Sequence, residues 1–452
     1  MSELSFPSDL FHLREGEQPL YGDFPDLKRG VEYFRSLITI EAWEPRRAAV
    51  AKRFYEMLTS GVTAPVGKGK FFDDRDLFGW YLFLGESFTD HPWNYEVIYG
   101  CRVIPIFASI GRDLDRLVKI EGFRDRALRL IDAERSQPNG PLFEMLVAAA
   151  YARAGAKVRF RKEQSGGLKT HDLDVELNGK WWAVECKRME AGEYGEHERE
   201  RMRELWKLPG LLLVKEERNT IVDLDFKIEL ADVPDSYVLG RVQKFLSRDL
   251  SFHMWSDSIV LGSIGNLDIT PIQYVLQKEY LLHPSPQFTK LLTGNYAREE
   301  SMLCLQRIKY ASNPHFIDEL DLAVVARWSS NSEHGIDKKA RDILKRLSDA
   351  NDQLPYDVAG VIHIGFEALG SDEIERRRYD KILDTARGFA RGKSKLEYIY
   401  CHYFAPDPSP PTVWAIDETV QWIGISPKGR PLEHGKLLPS DDDGREGVHW
   451  EG

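Results

Sequence analysis

The chain has 452 residues, of which 61 are Lys or Arg and 72 are Asp or Glu, so its formal net charge is −11. Apolar residues make up 42% and charged residues 29%, an ordinary composition for a globular protein that excludes collagen-like and low-complexity chains. The 4 Cys are far apart and form no C-x-x-C pair, which also excludes a disulfide scaffold and a Cys-based zinc ribbon.

No segment reaches the roughly 18 consecutive apolar residues that a membrane-spanning helix needs. The N-terminus has neither the basic nor the apolar region of a signal peptide. We therefore expect a cytoplasmic protein without a membrane partner. The acidic balance argues against a surface that binds polyanions everywhere, but it allows a local basic groove.

The first 135 residues predict a mostly helical domain that contains no recognisable chemical motif. Residues 45–58 have Pro at the first helical position and Ser60-Gly61 just beyond the last one. Residues 73–88 are rich in aromatic side chains, and residues 103–131 have the spacing of one or two amphipathic helices.

The pattern changes at Asn139-Gly140-Pro141, where Pro marks the start of a new helix. Residues 142–154 are apolar nearly all round, which predicts a buried helix. Residues 157–161 and 171–177 alternate between apolar and polar and predict strands. The dipeptide Asn178-Gly179 is a two-residue hairpin turn, which leads into a further strand over residues 180–187.

The rest of the chain predicts more α/β structure. A charged helix over 196–208 precedes residues 209–320, which mix strand and helix patterns and are assigned to an insertion. A strand (322–327), a helix (337–354), a strand (360–366), a helix (372–390) and a strand (396–404) then predict a mixed sheet. The predicted domains are a helical domain (1–135), two parts of one core (136–208 and 321–430), the insertion (209–320) and a disordered acidic tail (431–452).

The hairpin turn fixes the register of the two strands beside it, because paired positions lie symmetrically about the turn. Asp172 is then expected opposite Glu185, with Cβ atoms about 5 Å apart. Two carboxylates at that distance repel each other, and a divalent cation between them removes the repulsion. Lys187 lies on the same face, where it can orient and help to deprotonate a water or stabilise charge on a phosphate.

Glu144 is the one charged residue among residues 142–151 of the buried helix. A carboxylate on a helix that is buried all round is costly unless it is paired or bound to a metal. A metal site nearby would satisfy it.

The order of a helix with Glu144, a strand, a strand with Asp172, a hairpin and then Glu185-Cys186-Lys187 resembles the PD-(D/E)XK nuclease superfamily. The resemblance covers residues 141–188 and implies an α/β fold, a restriction-endonuclease-like mixed sheet flanked by helices. It implies that Asp172 and Glu185 bind Mg²⁺, for which Mn²⁺ would substitute, and that Glu144 joins the metal or its water shell. Lys187 would help to activate the attacking water.

The sequence departs from the family pattern in two places. His171 stands where the family has its name-giving Pro, a residue without a chemical role. The helix and strand that normally follow the motif at once are expected only after the insertion, at residues 337–354 and 360–366.

We therefore predict a Mg²⁺-dependent nuclease that hydrolyses phosphodiester bonds of nucleic acid, with DNA favoured over RNA, and with a protein partner or a homo-oligomer allowed. By analogy with the family, its expected setting is bacterial defence or repair. Two alternatives stay open. The acid pair with Lys187 could be an ordinary solvated face, and the chain could be a catalytically silent scaffold that binds nucleic acid or a protein.

Two smaller features of the motif region also allow more than one interpretation. Asp174 lies two residues from Asp172 on the same face and could be a further ligand, an orienting group or an exposed carboxylate. Lys157, Arg159 and Arg161 form a positive strip that could contact phosphates or protect an edge strand from aggregation.

Overall fold

The computed structural model describes residues 11, 23–59, 70–162, 170–190, 192–296, 301–313, 315–407, 415–425, 429–438, 448 and 450. Within these residues the chain is a mixed α/β protein with two mixed sheets flanked by helices. No helix among them is long and apolar enough to cross a membrane.

Helices account for nearly all regular structure in the described part of the first 135 residues. They are α1 (Pro25–Ser36), α2 (Ile40–Thr59), α3 (Leu77–Asp90), α4 (Val97–Arg112), α5 (Leu114–Leu117) and α6 (Phe123–Ile131). Helices α1 and α4 touch through glycines, since a Cβ on Gly111 would lie 1.8 Å from the carbonyl oxygen of Asp26. The sequence analysis predicts no helix at α1, and α2 begins before the predicted residue 45, so that Pro45 lies inside it.

The next segment contains the predicted buried helix and hairpin. Its elements are α7 (Asn139–Arg153), β1 (Lys157–Phe160), β2 (Leu173–Leu177), β3 (Lys180–Arg188) and α8 (Glu193–Lys215). Asn178 and Gly179 both have positive φ, at 52° and 74°, as the predicted turn requires. The predicted register is confirmed, because Leu177 pairs with Lys180 and Leu173 with Val184.

A second sheet occupies the chain after α8. Its elements are β4 (Thr220–Phe226), α9 (Tyr237–Ser247), β5 (Phe252–Ser256), β6 (Val260–Asn266), α10 (Thr270–Leu276), β7 (Leu281–Leu282), α11 (Pro286–Thr293), β8 (Ser301–Tyr310) and β9 (Phe316–Ser330). The strand order is β5-β6-β4-β9-β7, with β8 also paired to β9. The predicted strand over 322–327 belongs to β9, so it lies in this second sheet and not in the predicted core, which was expected to resume at residue 321.

The chain then returns to the first sheet. The last elements are α12 (Glu333–Lys339), α13 (Leu344–Asn351), β10 (Ala359–Glu367), α14 (Asp372–Gly388), β11 (Leu396–Asp407) and β12 (Ala415–Gly424). The first sheet has the order β1-β2-β3-β10-β11-β12, and β10 runs parallel to both β3 and β11. The single helix predicted over 337–354 is instead the pair α12 and α13.

Strand β3 separates two hydrophobic cores. Val184 and Cys186 pack on one face together with α7 and the N-terminal helices. Ala183 packs on the opposite face with α13 and α14. Because side chains alternate along a strand, Glu185 and Lys187 belong to the face of Ala183.

The prediction of a disordered tail from residue 431 is wrong for the described part of that segment. Leu437 and Leu438 are buried, and their backbone N–H groups donate to the Glu418 carboxylate at 2.8–3.1 Å. Trp450 packs its ring 5.6 Å from that of Tyr379. Leu437 and Leu438 before the acidic run, and Trp450 after it, thus pack against the first sheet and its helix. The acidic run itself, residues 441–446, lies outside the described residues.

Candidate active site

The structure brings the four predicted site residues together beside the β2–β3 hairpin. Glu144 lies in the second turn of α7, which begins at Asn139, two residues before the predicted start at Pro141. Asp172 directly precedes β2, and its backbone N–H donates to the Val184 carbonyl at 3.1 Å. The Asp172 carboxylate accepts a hydrogen bond of 2.8 Å from the backbone N–H of Cys186, which fixes it beside Glu185.

Glu185 is fully buried, and its two carboxylate oxygens have different surroundings. Oε1 accepts a hydrogen bond from the Lys187 ammonium, whereas Oε2 has no hydrogen-bond partner among the described residues. Burial and then the charge of Asp172 raise the pKa of Glu185 to about 9, although Lys187 opposes the shift. An unsatisfied buried carboxylate oxygen is a costly feature that calls for a ligand or a proton.

Glu144 and Asp172 share this electrostatic environment. Burial and the charge of Asp172 raise the pKa of Glu144 to about 8, against the effect of Arg126. Burial also raises the pKa of Asp172, while the Cys186 N–H, the charges of Lys187 and Arg126, and a hydrogen bond with the Glu185 carboxyl group oppose it. A hydrogen bond between two carboxyl groups needs a proton on one of them, which the raised pKa of Glu185 favours. Because Asp172 raises the pKa of both other acids, the three carboxylates form one coupled group with an excess of negative charge.

Lys187 is a cation in this arrangement and not a base. Burial lowers its pKa, but the charges of Glu185 and Asp172 outweigh burial and leave the pKa above its ordinary value. The predicted help in deprotonating water would need a neutral amine, which these neighbours disfavour. The other predicted role, orienting a water or stabilising charge on a phosphate, suits an ammonium with 21% of its side chain exposed.

Sequence reasoning missed Arg126, which comes from α6 in the helical domain. Its Nη2 donates to Glu144 Oε1, and its Nη1 donates to Glu134 Oε1 at 3.2 Å. The lone charge of Glu144 on a buried helix was the available signal that some partner exists. No local pattern identifies which residue it is, because the partner comes from a different element.

The positive strip of Lys157, Arg159 and Arg161 is paired with carboxylates of the neighbouring strand β2. Asp174 accepts hydrogen bonds from Arg159 at 2.6 Å, from Arg161 at 3.3 Å and from His171 at 2.7 Å. Lys157 bonds the carboxylate of Glu176 at 3.2 Å. Cross-strand pairing therefore accounts for these charges, and Asp174 has no need of a metal.

The donor set has the chemistry of a hard-cation site without forming a complete cage. In the described part of the chain, no group of three His, Cys, Asp or Glu side chains has an arrangement that could hold a metal ion. Asp172, which is half-buried, and Glu185, which is fully buried, nevertheless offer adjacent oxygens, and Oε2 of Glu185 lacks a partner among the described residues. Oxygen donors of this kind suit Mg²⁺, which usually takes one or two carboxylates and completes its shell with water.

Comparison of the chain with protein-family models, with curated proteins and with solved structures gave no match.

Proposed function

We propose that this protein is a metal-dependent nuclease that hydrolyses phosphodiester bonds of nucleic acid, with DNA favoured, on a restriction-endonuclease-like core. The observation that carries the proposal is the convergence of Glu144, Asp172, Glu185 and Lys187 in one cluster around the fully buried Glu185, whose Oε2 has no partner among the described residues. The expected remainder of that core also supports it, since α13 and β10 follow the insertion and β10 runs parallel to β3.

Each residue would have a separate task. Asp172 and Glu185 would hold Mg²⁺, which supplies a water of lowered pKa and neutralises charge on the phosphate. The Cys186 N–H keeps the Asp172 carboxylate in place, and burial keeps Glu185 away from competing solvent. Lys187 would place a fixed positive charge beside the scissile phosphate.

The test is cleavage of plasmid, linear duplex, single-stranded DNA and RNA with Mg²⁺ or Mn²⁺, together with calorimetric titration of Mn²⁺. We expect Asp172→Ala to abolish both cleavage and Mn²⁺ binding. Glu176→Gln is the matched control, because Glu176 is a carboxylate on β2, the strand that Asp172 directly precedes, and its partner is Lys157. An absence of Mn²⁺ binding by the wild type, or binding that Asp172→Ala leaves unchanged, would refute the proposal.

One observation favours a second candidate, a silent scaffold that binds nucleic acid or a protein partner. Glu185 and Glu144 each already have a basic partner, Lys187 and Arg126, as expected for a structural ion-pair network. The same titration separates the candidates, since a scaffold would bind its nucleic acid or protein without a divalent ion.

A further inference from the structure

Arg126 is a cation held inside the carboxylate cluster. Its side chain is 11% exposed and that of Glu144 is 10% exposed, so their contact is largely shielded from water. Glu134 accepts a second hydrogen bond from the same guanidinium and fixes its orientation. Arg126 lies close enough to Asp172 for each charge to affect the pKa of the other.

The charges around Arg126 limit how many ions the cluster can take. Three carboxylates (Glu144, Asp172 and Glu185) stand with two cations (Lys187 and Arg126). Glu134 is bonded to Arg129 as well as Arg126 and is balanced by Arg129, and a bound divalent ion would hold the three acids ionised against their raised pKa values. These five groups then carry one net negative charge, which the ion changes to one net positive charge. That value matches the single negative charge of a phosphodiester. A second divalent ion would add two more positive charges beside two fixed cations, which is unfavourable in a buried site.

The carboxylate oxygens without a hydrogen-bond partner also favour a single ion between Asp172 and Glu185. Glu185 Oε2 and Glu134 Oε2 have no partner within the described residues, whereas Glu144 Oε1 is bonded to Arg126; of the two, Glu185 is the one that stands beside Asp172. An ion between Asp172 and Glu185 can therefore bind without breaking the Arg126–Glu144 contact.

We propose that Arg126 takes the place of a second cation, so that the cluster binds one divalent ion per chain, between Asp172 and Glu185, while Glu144 balances the guanidinium. This inference rests on the proposed metal site. Arg126 is a positioning residue here, because it acts through Glu144. Of the three predicted metal ligands, Glu144 would then contact Arg126 and not the ion.

The test is calorimetric titration of Mn²⁺ into the full-length wild type, Glu144→Gln, Arg126→Met and the double variant. We expect one ion per wild-type chain. Glu144→Gln leaves the guanidinium charge unbalanced and should weaken Mn²⁺ binding by about tenfold. Arg126→Met frees a carboxylate and should strengthen binding by a similar factor or admit a second ion. The double variant removes both charges and should return to within about threefold of the wild-type Kd.

Controls separate this charge balance from a purely structural ion pair. Arg126→Lys keeps the charge and should bind one ion, and Arg124→Met, at an exposed position on the same helix, should leave the Kd unchanged. Circular dichroism and thermal unfolding check that each variant folds. If Arg126→Met alone is unstable, Glu144→Gln and the double variant still decide the question.

The outcomes are distinct. A double variant that binds as weakly as Glu144→Gln would make Glu144 a metal ligand and overturn the inference while leaving the proposed function intact. Two ions per wild-type chain, or equal binding by all variants, would also overturn it. Absence of Mn²⁺ binding in the wild type and in every variant would overturn both the inference and the proposed metal site.

Discussion

His315 should make the protein sensitive to mild acid through the contact between the second sheet and the helical domain. It lies between β8 and β9, fully buried, with its ring centroid 5.1 Å from that of Phe54 on α2. Its Nδ1 lies 2.7 Å from the Trp93 carbonyl oxygen, while its Nε2 is buried without a partner among the described residues. A proton on Nε2 would therefore be a buried, unsatisfied charge.

The size of the effect follows from the pKa. Burial lowers the pKa of His315 from 6.5 to about 4, so the unfolded chain binds this proton at a higher pH than the folded one does. The stabilising contribution is complete above pH 6.5 and is lost as the pH falls from there towards 4. Linkage then predicts that His315 alone removes about 2 kcal/mol of folding free energy between pH 7 and pH 5.

The assay is urea unfolding at pH 7, 6 and 5. His315→Gln keeps an N–H donor for the Trp93 carbonyl oxygen but cannot take up a proton, so it should reduce the loss of stability across this range by about 2 kcal/mol. His334→Gln, in an exposed position on α12, is the control and should follow the wild type. A His315→Gln profile parallel to that of the wild type would refute the assignment.

Three further predictions concern the site and the two cores. If the protein cleaves nucleic acid as proposed, Lys187→Met should lower the cleavage rate by about 10²-fold or more while the protein still binds Mn²⁺, because the ammonium would act on the phosphate and not on the ion, and parallel kinetics and calorimetry would check this. Gly111→Ala should cost about 1–3 kcal/mol in chemical unfolding, since its Cβ would overlap the Asp26 carbonyl oxygen; a stability equal to wild type would contradict the close approach. His402→Phe should cost about 2–3 kcal/mol in urea unfolding, because His402 bonds buried His363 at 3.0 Å and Glu418 at 2.9 Å.

Features fixed by neighbouring residues could be predicted from the sequence. The turn residues Asn178 and Gly179 determined the hairpin register, and through it the meeting of Asp172 with Glu185. Pro141 and the apolar run after it located α7 and placed Glu144 on a buried helix. Each of these signals operates over a few residues, so no knowledge of the rest of the chain was needed.

Features that depend on distant partners were missed or misplaced. The sequence predicts that the charged helix ends at residue 208, but α8 continues through Pro209 to Lys215. The continuation is stabilised because Leu213, in the C-terminal half of the helix, packs against the second sheet. The strand over 322–327 has the same apolar composition as a buried strand of the first sheet. Only its pairing with β4 shows that it belongs to the second sheet. Arg126 contacts Glu144 through tertiary packing between α6 and α7, which no spacing rule describes.

The position of the second sheet explains how the site tolerates such a long insertion. Parallel strands β3 and β10 must be joined by a crossover, and pairing constrains only where that crossover begins and ends. The insertion enters its sheet on β4 and leaves it on β9, and these are adjacent parallel strands. Because these strands are parallel, Thr220 and Ser330 lie at opposite ends of the pair, and α8 spans that distance: Lys339 on α12 contacts Glu198 near the start of α8 at 3.3 Å. The two connections to the first sheet therefore meet, and the cost of closing a longer loop rises only slowly with length. The pairing of β3 with β10, and the carboxylates on β3, need not change.

The insertion and the helical domain also contact each other away from the site. Tyr310 on β8 donates a hydrogen bond of 2.7 Å to the Leu58 carbonyl oxygen on α2, near the His315 contact. The helical domain in turn supplies Arg126 to the carboxylate cluster. Packed contacts thus run from the second sheet through the core of the helical domain to α7, so this core connects the helix that supplies Arg126 with both the insertion and the carboxylate cluster.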